Sequence, residues 1–378
     1  MKLFECQHCG QPLYFENSRC ESCGRQLGYL PSKETITALE PSGDALRALA
    51  DPKRRYRLCA NAQYDACNWL VTIDGPEIFC AACRHNRHIP DLSITDNLID
   101  WRAIELAKHR LFYTLLKLGL PLATRAEDPN GLTFDFLSPE LPAPDGTPHV
   151  LTGHADGLIT INLKEADDAH RERQRRQMGE PYRTLLGHFR HEIAHYYWDK
   201  LVPNNASNLD GFRALFGDEQ RDYGQALQQH YQYGPPQDWT EHYVTSYASS
   251  HPWEDFAETW AHYLHMVDTL ETASSFGLAV RPRLHKAAAL SAAIDFDPHN
   301  ARLDQLISTW LPLTFAVNSV NRSMGLPDLY PFVLSPPAIA KLAYVHDRIR
   351  ENRRGVQADN PLRAIIAGLR RRVGVPTN

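Results

Sequence analysis

Apolar residues recur at helical spacing over long stretches of this chain and alternate over only a few short ones. From Asp96 to Leu118 the residues Leu98, Trp101, Ile104, Leu106, Leu111, Leu115 and Leu118 predict a long helix with Asp96 as its N-cap. Between Pro121 and Pro148 the chain is rich in Pro, Gly and Asp around an apolar run at Leu132 to Leu137, which reads as loop, short strand, loop. His149 to Leu163 alternates and predicts a strand. A charged helix from about Glu165 to Met178 follows, then a break at Gly179 and Pro181. A second helix runs from about Tyr182 to Val202, with Leu185, Leu186, Phe189, Ile193, Ala194 and Tyr197 as its buried side. Further helices are expected over Leu209 to Phe216, over Tyr223 to Tyr231, and from Pro252, a first-turn proline, to about Thr272. Helical spacing returns at Leu303 to Leu311 and Ile339 to Ile349, ahead of a basic tail.

Composition adds boundaries to this pattern. With 43% apolar and 22% charged residues, the 378-residue chain is of ordinary globular type. The formal charge of -5 argues against a protein built around nucleic acid. Lys53-Arg54-Arg55, Arg171 to Arg176 and Arg370-Arg371-Arg372 are short basic runs, read as solvated faces or tail. No secretory signal is visible at the start. The apolar stretch Leu111 to Leu122 is short and carries Lys117, so no membrane span is expected, and the expected location is the cytoplasm.

All eight cysteines precede residue 84. In a reducing compartment such a grouping is better explained by metal than by disulfides. Cys6, Cys9, Cys20 and Cys23 form two Cys-x-x-Cys-Gly knuckles, the pattern of a closed tetrahedral zinc site with a structural role. Cys59, Cys67, Cys80 and Cys83 form a looser second set, for which a second structural zinc is the expectation. His85 and His88 could substitute for a cysteine there but read better as surface histidines. A short module stapled in this way gains its folding energy from the metal.

The predicted helix from Tyr182 carries His191-Glu192-Ile193-Ala194-His195. Histidines four apart point to one face of a helix, and Glu192 sits beside them within reach of a metal-bound water. A hydrolytic zinc needs a third protein ligand and one open position. Asp199 lies ~6 Å further along the helix axis than His195, too far to close a compact site. The better source is the segment from His251 to His262, where Glu254 and Glu258 share one face of a second helix. His188, His262 and His265 read as core or helix-surface residues, and Trp198, Trp253 and Trp260 as packing.

His191 to Asp199, Glu254 to His262, the front knuckles and Cys80 to Asp91 together resemble a bacterial family of zinc-binding metallopeptidases with an N-terminal zinc ribbon. HExxH with a later Glu is also similar, more distantly, to gluzincins. The resemblance implies an α+β fold: a zincin-like metallopeptidase domain, mostly helical with a small sheet, preceded by four-cysteine zinc-ribbon modules. Carried over residue by residue, it implies zinc ligands His191, His195 and Glu254, Glu192 as general base, and Tyr247, seven residues before Glu254, as oxyanion donor. Glu258 would then orient a ligand histidine from behind. One catalytic and two structural zinc ions follow, with a protein or peptide as substrate. The expected divisions are a ribbon at 1–30, a second module at 44–92, the catalytic domain at 93–280 and a helical extension at 281–378. The length and aromatic content between Val202 and His242 depart from the family pattern. A competing reading is a zinc-dependent adaptor that binds a protein partner through its ribbon modules. Glu192 argues against it, because an adaptor needs no carboxylate beside a ligand histidine.

Overall fold

A computed structural model describes residues 2–138, 152–178, 184–283 and 288–358. The break expected at Gly179 and Pro181, and the basic tail, lie outside them. The front of the chain is a string of short strands. β1 (Phe4–Glu5) and β2 (Pro12–Leu13) pair as a hairpin. β3 (Leu27–Leu30), β4 (Thr35–Ser42), β5 (Ala45–Ala48), β6 (Asp51–Leu58) and β7 (Leu70–Thr72) form an antiparallel meander in sequence order. This five-stranded sheet was not expected. Its inner residues Tyr29, Ile36, Tyr56 and Trp69 are buried, whereas Lys53, Arg54 and Arg55 on β6 face solvent. The sheet begins after the first cysteine set and ends within the second, Cys59 and Cys67 lying between β6 and β7.

β8 (Asn86–His88) leaves the second cysteine set and α1 (Thr95–Leu118) follows. Asp96 is not the N-cap: Ile94 takes that place without a side-chain bond, and Asp96 sits in the first turn. There its carboxylate favours the positive end of the helix dipole. β9 (Thr133–Leu137), β10 (Gly153–Ala155) and β11 (Leu158–Asn162) complete a second sheet in the order β10-β11-β9-β8. β9 runs parallel to both of its neighbours, and β10 is antiparallel to β11. The single strand expected over His149 to Leu163, of which 149–151 lie outside the described residues, is from 153 onward a hairpin turned at Asp156 and Gly157, whose φ angles are +48° and +77°. A Cβ on Gly157 would lie 2.6 Å from the Asn130 carbonyl oxygen, so the turn tolerates only glycine.

A 3₁₀ turn at Leu163–Ala166 precedes α2 (Asp168–Met178), so the charged helix starts later than its pattern implied. α3 (Leu185–Leu201) is capped by the Thr184 hydroxyl, which accepts from the Gly187 amide at 3.0 Å. α4 (Ala206–Phe216), α5 (Tyr223–Tyr233) and the short α6 (Trp239–His242) come next. α7 (Pro252–Ser275) starts on Pro252 at a first-turn position, with His251 as N-cap. After the pair of β12 (Ala279–Val280) and β13 (Ala292–Ala293), α8 (Leu303–Ser323) and α9 (Pro336–Ala358) are the last elements among the described residues. Both extend beyond the apolar stretches that announced them.

α3 and α7 pack across one another at the centre of the molecule. Trp260 of α7 stacks on Tyr197 of α3 with ring centroids 5.1 Å apart. Phe134 and Phe136 of β9 close on Phe189 of α3 from the sheet side. Truncating a fully buried ring such as Trp260 to Ala costs about 3–5 kcal/mol. The α3–α7 crossing is therefore a rigid place to hold side chains. No described helix is long and apolar enough to cross a membrane.

Candidate metal centres and the α3–α7 site

The eight thiols gather into two sets, as their spacing implied, and none is in a disulfide. In the first set the Cys6 and Cys23 sulfurs are 3.8 Å apart, and those of Cys9 and Cys20 are 3.6 Å apart. Two thiolates bound tetrahedrally to one zinc at ~2.3 Å would stand ~3.8 Å apart. In the second set Cys67 and Cys80 are 3.7 Å apart. Backbone amides of Cys80 and Cys83 point at the sulfurs of Cys59 and Cys80, each at 3.4 Å. Such N–H donors favour thiolate over thiol.

His85 is not on the surface. It is buried against Phe112 and directs Nδ1 to the Leu132 carbonyl at 2.8 Å, while His88 is exposed beside Asp135. The histidine that reaches the second cysteine set is His109 of α1, which sequence reasoning missed. Its Nε2 lies 3.5 Å from the Cys83 sulfur and 3.8 Å from that of Cys80, and its Nδ1 bonds the Glu105 carbonyl oxygen at 2.6 Å. Glu105 and Lys108, both fully buried, form an ion pair of 2.6 Å beside it. Burial opposes charge on the His109 ring, and the Cys83 thiolate reverses this and raises its pKa. The Glu105–Lys108 pair and the His109 ring thus stand next to the cluster of sulfur.

On the face of α3, His191 and His195 have ring centroids 5.1 Å apart. Glu254, in the first turn of α7, brings one carboxylate oxygen, Oε2, to 3.0 Å from His191 Nε2. Its Oε1 is 3.8 Å from His195 Nε2. One donor atom from each of the three residues lies within 4.8 Å of the others. Asp199, one turn further along α3, is not part of this group. Glu258, one turn along α7 from Glu254, bonds His191 from the opposite side, Oε1 to Nδ1, at 2.6 Å. A carboxylate only accepts, so Nδ1 carries a proton and Nε2 is the nitrogen left facing Glu254. Glu254 Oε2 is buried without a hydrogen-bond partner. Two imidazole nitrogens and an orphaned carboxylate oxygen around one point suit zinc, whose ligand bonds of ~2.0–2.1 Å put neighbouring donors ~3.3 Å apart.

The electrostatics agree. Burial would lift Glu254, but the nearby His195 and His191 bring it down to about 2. For His191, burial disfavours charge, yet Glu254 and Glu258 raise its pKa well above the usual value, the same negative surroundings that would welcome any cation. Glu192 lies buried beside the group; burial alone would raise its pKa, and His188 and His191 hold it low.

His188, expected as a core or surface residue, stands between two carboxylates: Nε2 is 3.4 Å from Glu192 Oε1 and Nδ1 is 3.3 Å from Glu165 Oε2. Burial alone would keep its ring neutral, but the two carboxylates push it up to about 9. His188 and Glu192 are four apart on α3, so this pairing was legible in the sequence. His262 and His265 are packing residues around Tyr330. Trp198 and Trp260 are buried, whereas Trp253 is half-buried with its ring 6.1 Å from His195. His154 on the edge strand β10 stacks on His195, ring centroids 6.2 Å apart.

Tyr247 opens a 3₁₀ turn ahead of α7, and its ring centroid is 6.0 Å from that of His191. Burial and the Glu254 carboxylate hold its hydroxyl protonated. A second tyrosine, absent from the sequence reading, is closer to the carboxylate: the Tyr223 hydroxyl donates to Glu254 Oε1 at 2.7 Å.

Comparison with known proteins agrees with this architecture. Uncharacterized proteins of Mycobacterium tuberculosis and Mycobacterium bovis are each 42% identical over 352 residues, covering 93% of this chain and 96% of theirs. No solved structure matches. Residues 3–94 match a zinc-ribbon domain, which covers both cysteine sets and the meander between them. Residues 97–348 match the family described as "Putative zinc-binding metallo-peptidase", and the chain belongs to that family.

Proposed function

We propose that this chain hydrolyses peptide bonds of a protein or peptide substrate at a zinc ion held by His191, His195 and Glu254. The observation that carries the reading is the convergence of these three donors at the α3–α7 crossing, with Glu254 Oε2 buried and otherwise unpartnered. When bound, zinc supplies Lewis-acid chemistry, polarising a carbonyl and lowering the pKa of water. Glu192 takes the proton of the attacking water and returns it to the leaving amine. His188, fixed against Glu165, keeps the Glu192 carboxylate charged and in place. The Tyr247 hydroxyl donates to the oxyanion that forms at the scissile carbonyl. Glu258 fixes the His191 ring so that Nε2 faces the ion. The two cysteine sets hold two structural zinc ions, and the protein works in the cytoplasm.

The test is Glu192→Gln, which removes the base and leaves every ligand. Cells carrying wild type should show new protein termini that cells carrying Glu192→Gln lack, while both purified proteins retain equal zinc. Identical termini in the two samples would refute hydrolysis and leave the adaptor reading, in which the ribbon modules bind a protein partner.

A further inference from the structure

Glu254 is held by a residue that comes from far along the chain. Tyr223 is the first residue of α5, and α5 is set by Asp222, whose carboxylate accepts from the Gln225 amide at 2.8 Å. The segment is fastened to the start of α7 by a separate contact. His251 Nδ1 accepts from the Trp253 amide at 3.1 Å, so Nε2 carries the proton and donates to the Arg221 carbonyl, also at 3.1 Å. The Tyr223 ring packs edge-on to His251 and Trp253, with centroids 5.2 and 6.3 Å away. From this seat its hydroxyl reaches Glu254 Oε1 at 2.7 Å.

The two oxygens of Glu254 are therefore unequal. Oε1 is engaged by a phenol; Oε2 has no hydrogen-bond partner and faces His191 Nε2 at 3.0 Å. A carboxylate can bind a metal through one oxygen or through both, and a charge-assisted bond of this length to one oxygen decides between the two. We infer that Tyr223 is a positioning residue of the metal site, which holds Glu254 so that it offers a single oxygen and a coordination position stays open for water or substrate. This rests on the zinc site proposed above. It also gives the aromatic segment between α3 and α7 a task at the site, where the sequence marked only a departure from the family pattern.

The experiment uses the full chain as Tyr223→Phe, which removes one hydroxyl and keeps the ring packing. With the cysteine sets filled by zinc, the remaining site is titrated with zinc against a competing chelator, then loaded to saturation with cobalt(II) for visible spectroscopy. Zinc affinity should fall by roughly 10–100-fold, the range for loss of a group behind a ligand. The ligand-field bands of the cobalt protein should weaken as Oε1 joins the metal and the coordination number rises. Tyr233→Phe, at an exposed position of the same helix, should match wild type in both. An affinity within about twofold of wild type for Tyr223→Phe, or a loss of affinity with an unchanged cobalt spectrum, overturns the assignment. Glu254→Ala separates the two levels of the argument. If it too leaves zinc affinity untouched, the metal site itself is misread; if it alone abolishes binding while Tyr223→Phe does nothing, only the role of Tyr223 falls.

Discussion

Replacing Lys341 by Met should destabilise the protein far from any cysteine and yet at the doorstep of the site. Lys341 of α9 places its ammonium 2.6 Å from Asp255 Oδ2, and both side chains are nearly inaccessible, at 6% and 1% exposure. The ammonium also donates to the His242 carbonyl at 2.9 Å and lies 4.2 Å from the centre of the Tyr243 ring. Asp255 is the neighbour of Glu254, so the pair ties α9 to the first turn of α7. Breaking a buried pair by removing one partner costs about 3–5 kcal/mol, because the other charge stays buried alone. At roughly 2–4 °C per kcal/mol for a unit of this size, the melting temperature should drop by about 10 °C. The loss should depend on pH. Burial raises the folded-state pKa of Asp255, and Lys341 holds it back only in part. A carboxyl with a raised folded pKa favours the folded state fully below its unfolded value of ~3.9 and loses that contribution as pH rises through the folded value. Removing Lys341 moves the folded value higher still, so Lys341→Met should lose more stability at pH 8 than at pH 5.5. Adding Asp255→Asn should recover most of the loss. Urea denaturation of the three proteins at both pH values measures all of this. A loss below about 1 kcal/mol, or a double variant as unstable as the single one, would refute the assignment of a tightly coupled pair.

Three further measurements bear on other parts of the molecule. Elemental analysis after gentle purification should find about three zinc ions per chain, with one removed first by a mild chelator; one ion or none would contradict the site assignments. Glu254→Ala should weaken zinc binding at the α3–α7 site by far more than 100-fold, and Glu258→Ala by only about 10–100-fold. The reverse order would make Glu258 the ligand. Burial holds His262 down at about 4 despite Glu258, well below the ~6.5 of an unfolded chain. Its contribution is complete above pH 6.5 and is lost as pH falls toward 4, so His262→Gln should flatten the acid limb of the stability curve by up to about 1.4 kcal/mol per pH unit. An unchanged limb would show that His262 is not held neutral.

What the sequence disclosed follows from range. The helix bearing His191 and His195, and the knuckles at Cys6 and Cys20, are local patterns in which spacing alone fixes which side chains share a face. Glu254 and Glu258 could be narrowed to one helix for the same reason, but which of them faces Nε2 depends on the α3–α7 crossing. The meander from Leu27 to Thr72 escaped notice because β3, β5 and β7 are only three or four residues long and the longer β6 exposes Lys53, Arg54 and Arg55, which read as a charge run. Tyr223 was indistinguishable among 16 tyrosines until the fold brought it 2.7 Å from a residue 31 positions away. His109 was hidden differently: it sits inside a well-predicted helix, and nothing in an apolar periodicity says that a polar residue on the buried side faces sulfur.

α1 links the second cysteine set to α7. One of its faces presents Glu105, Lys108 and His109 to the second cysteine set; further along, Tyr113 and Thr114 donate to Glu271 and Asp268 of α7 at 2.8 and 2.6 Å. The helix is synthesised after the cysteines and before α3 and α7, on which it later packs. Once it docks, Cys59, Cys80 and Cys83 are sealed, each no more than 2% exposed. Cys67, the fourth member of the set, stays partly exposed, so α1 covers one side of the cluster and leaves the other nearer to solvent. An ion held there would be walled in by α1 on one side and would meet solvent only beside Cys67.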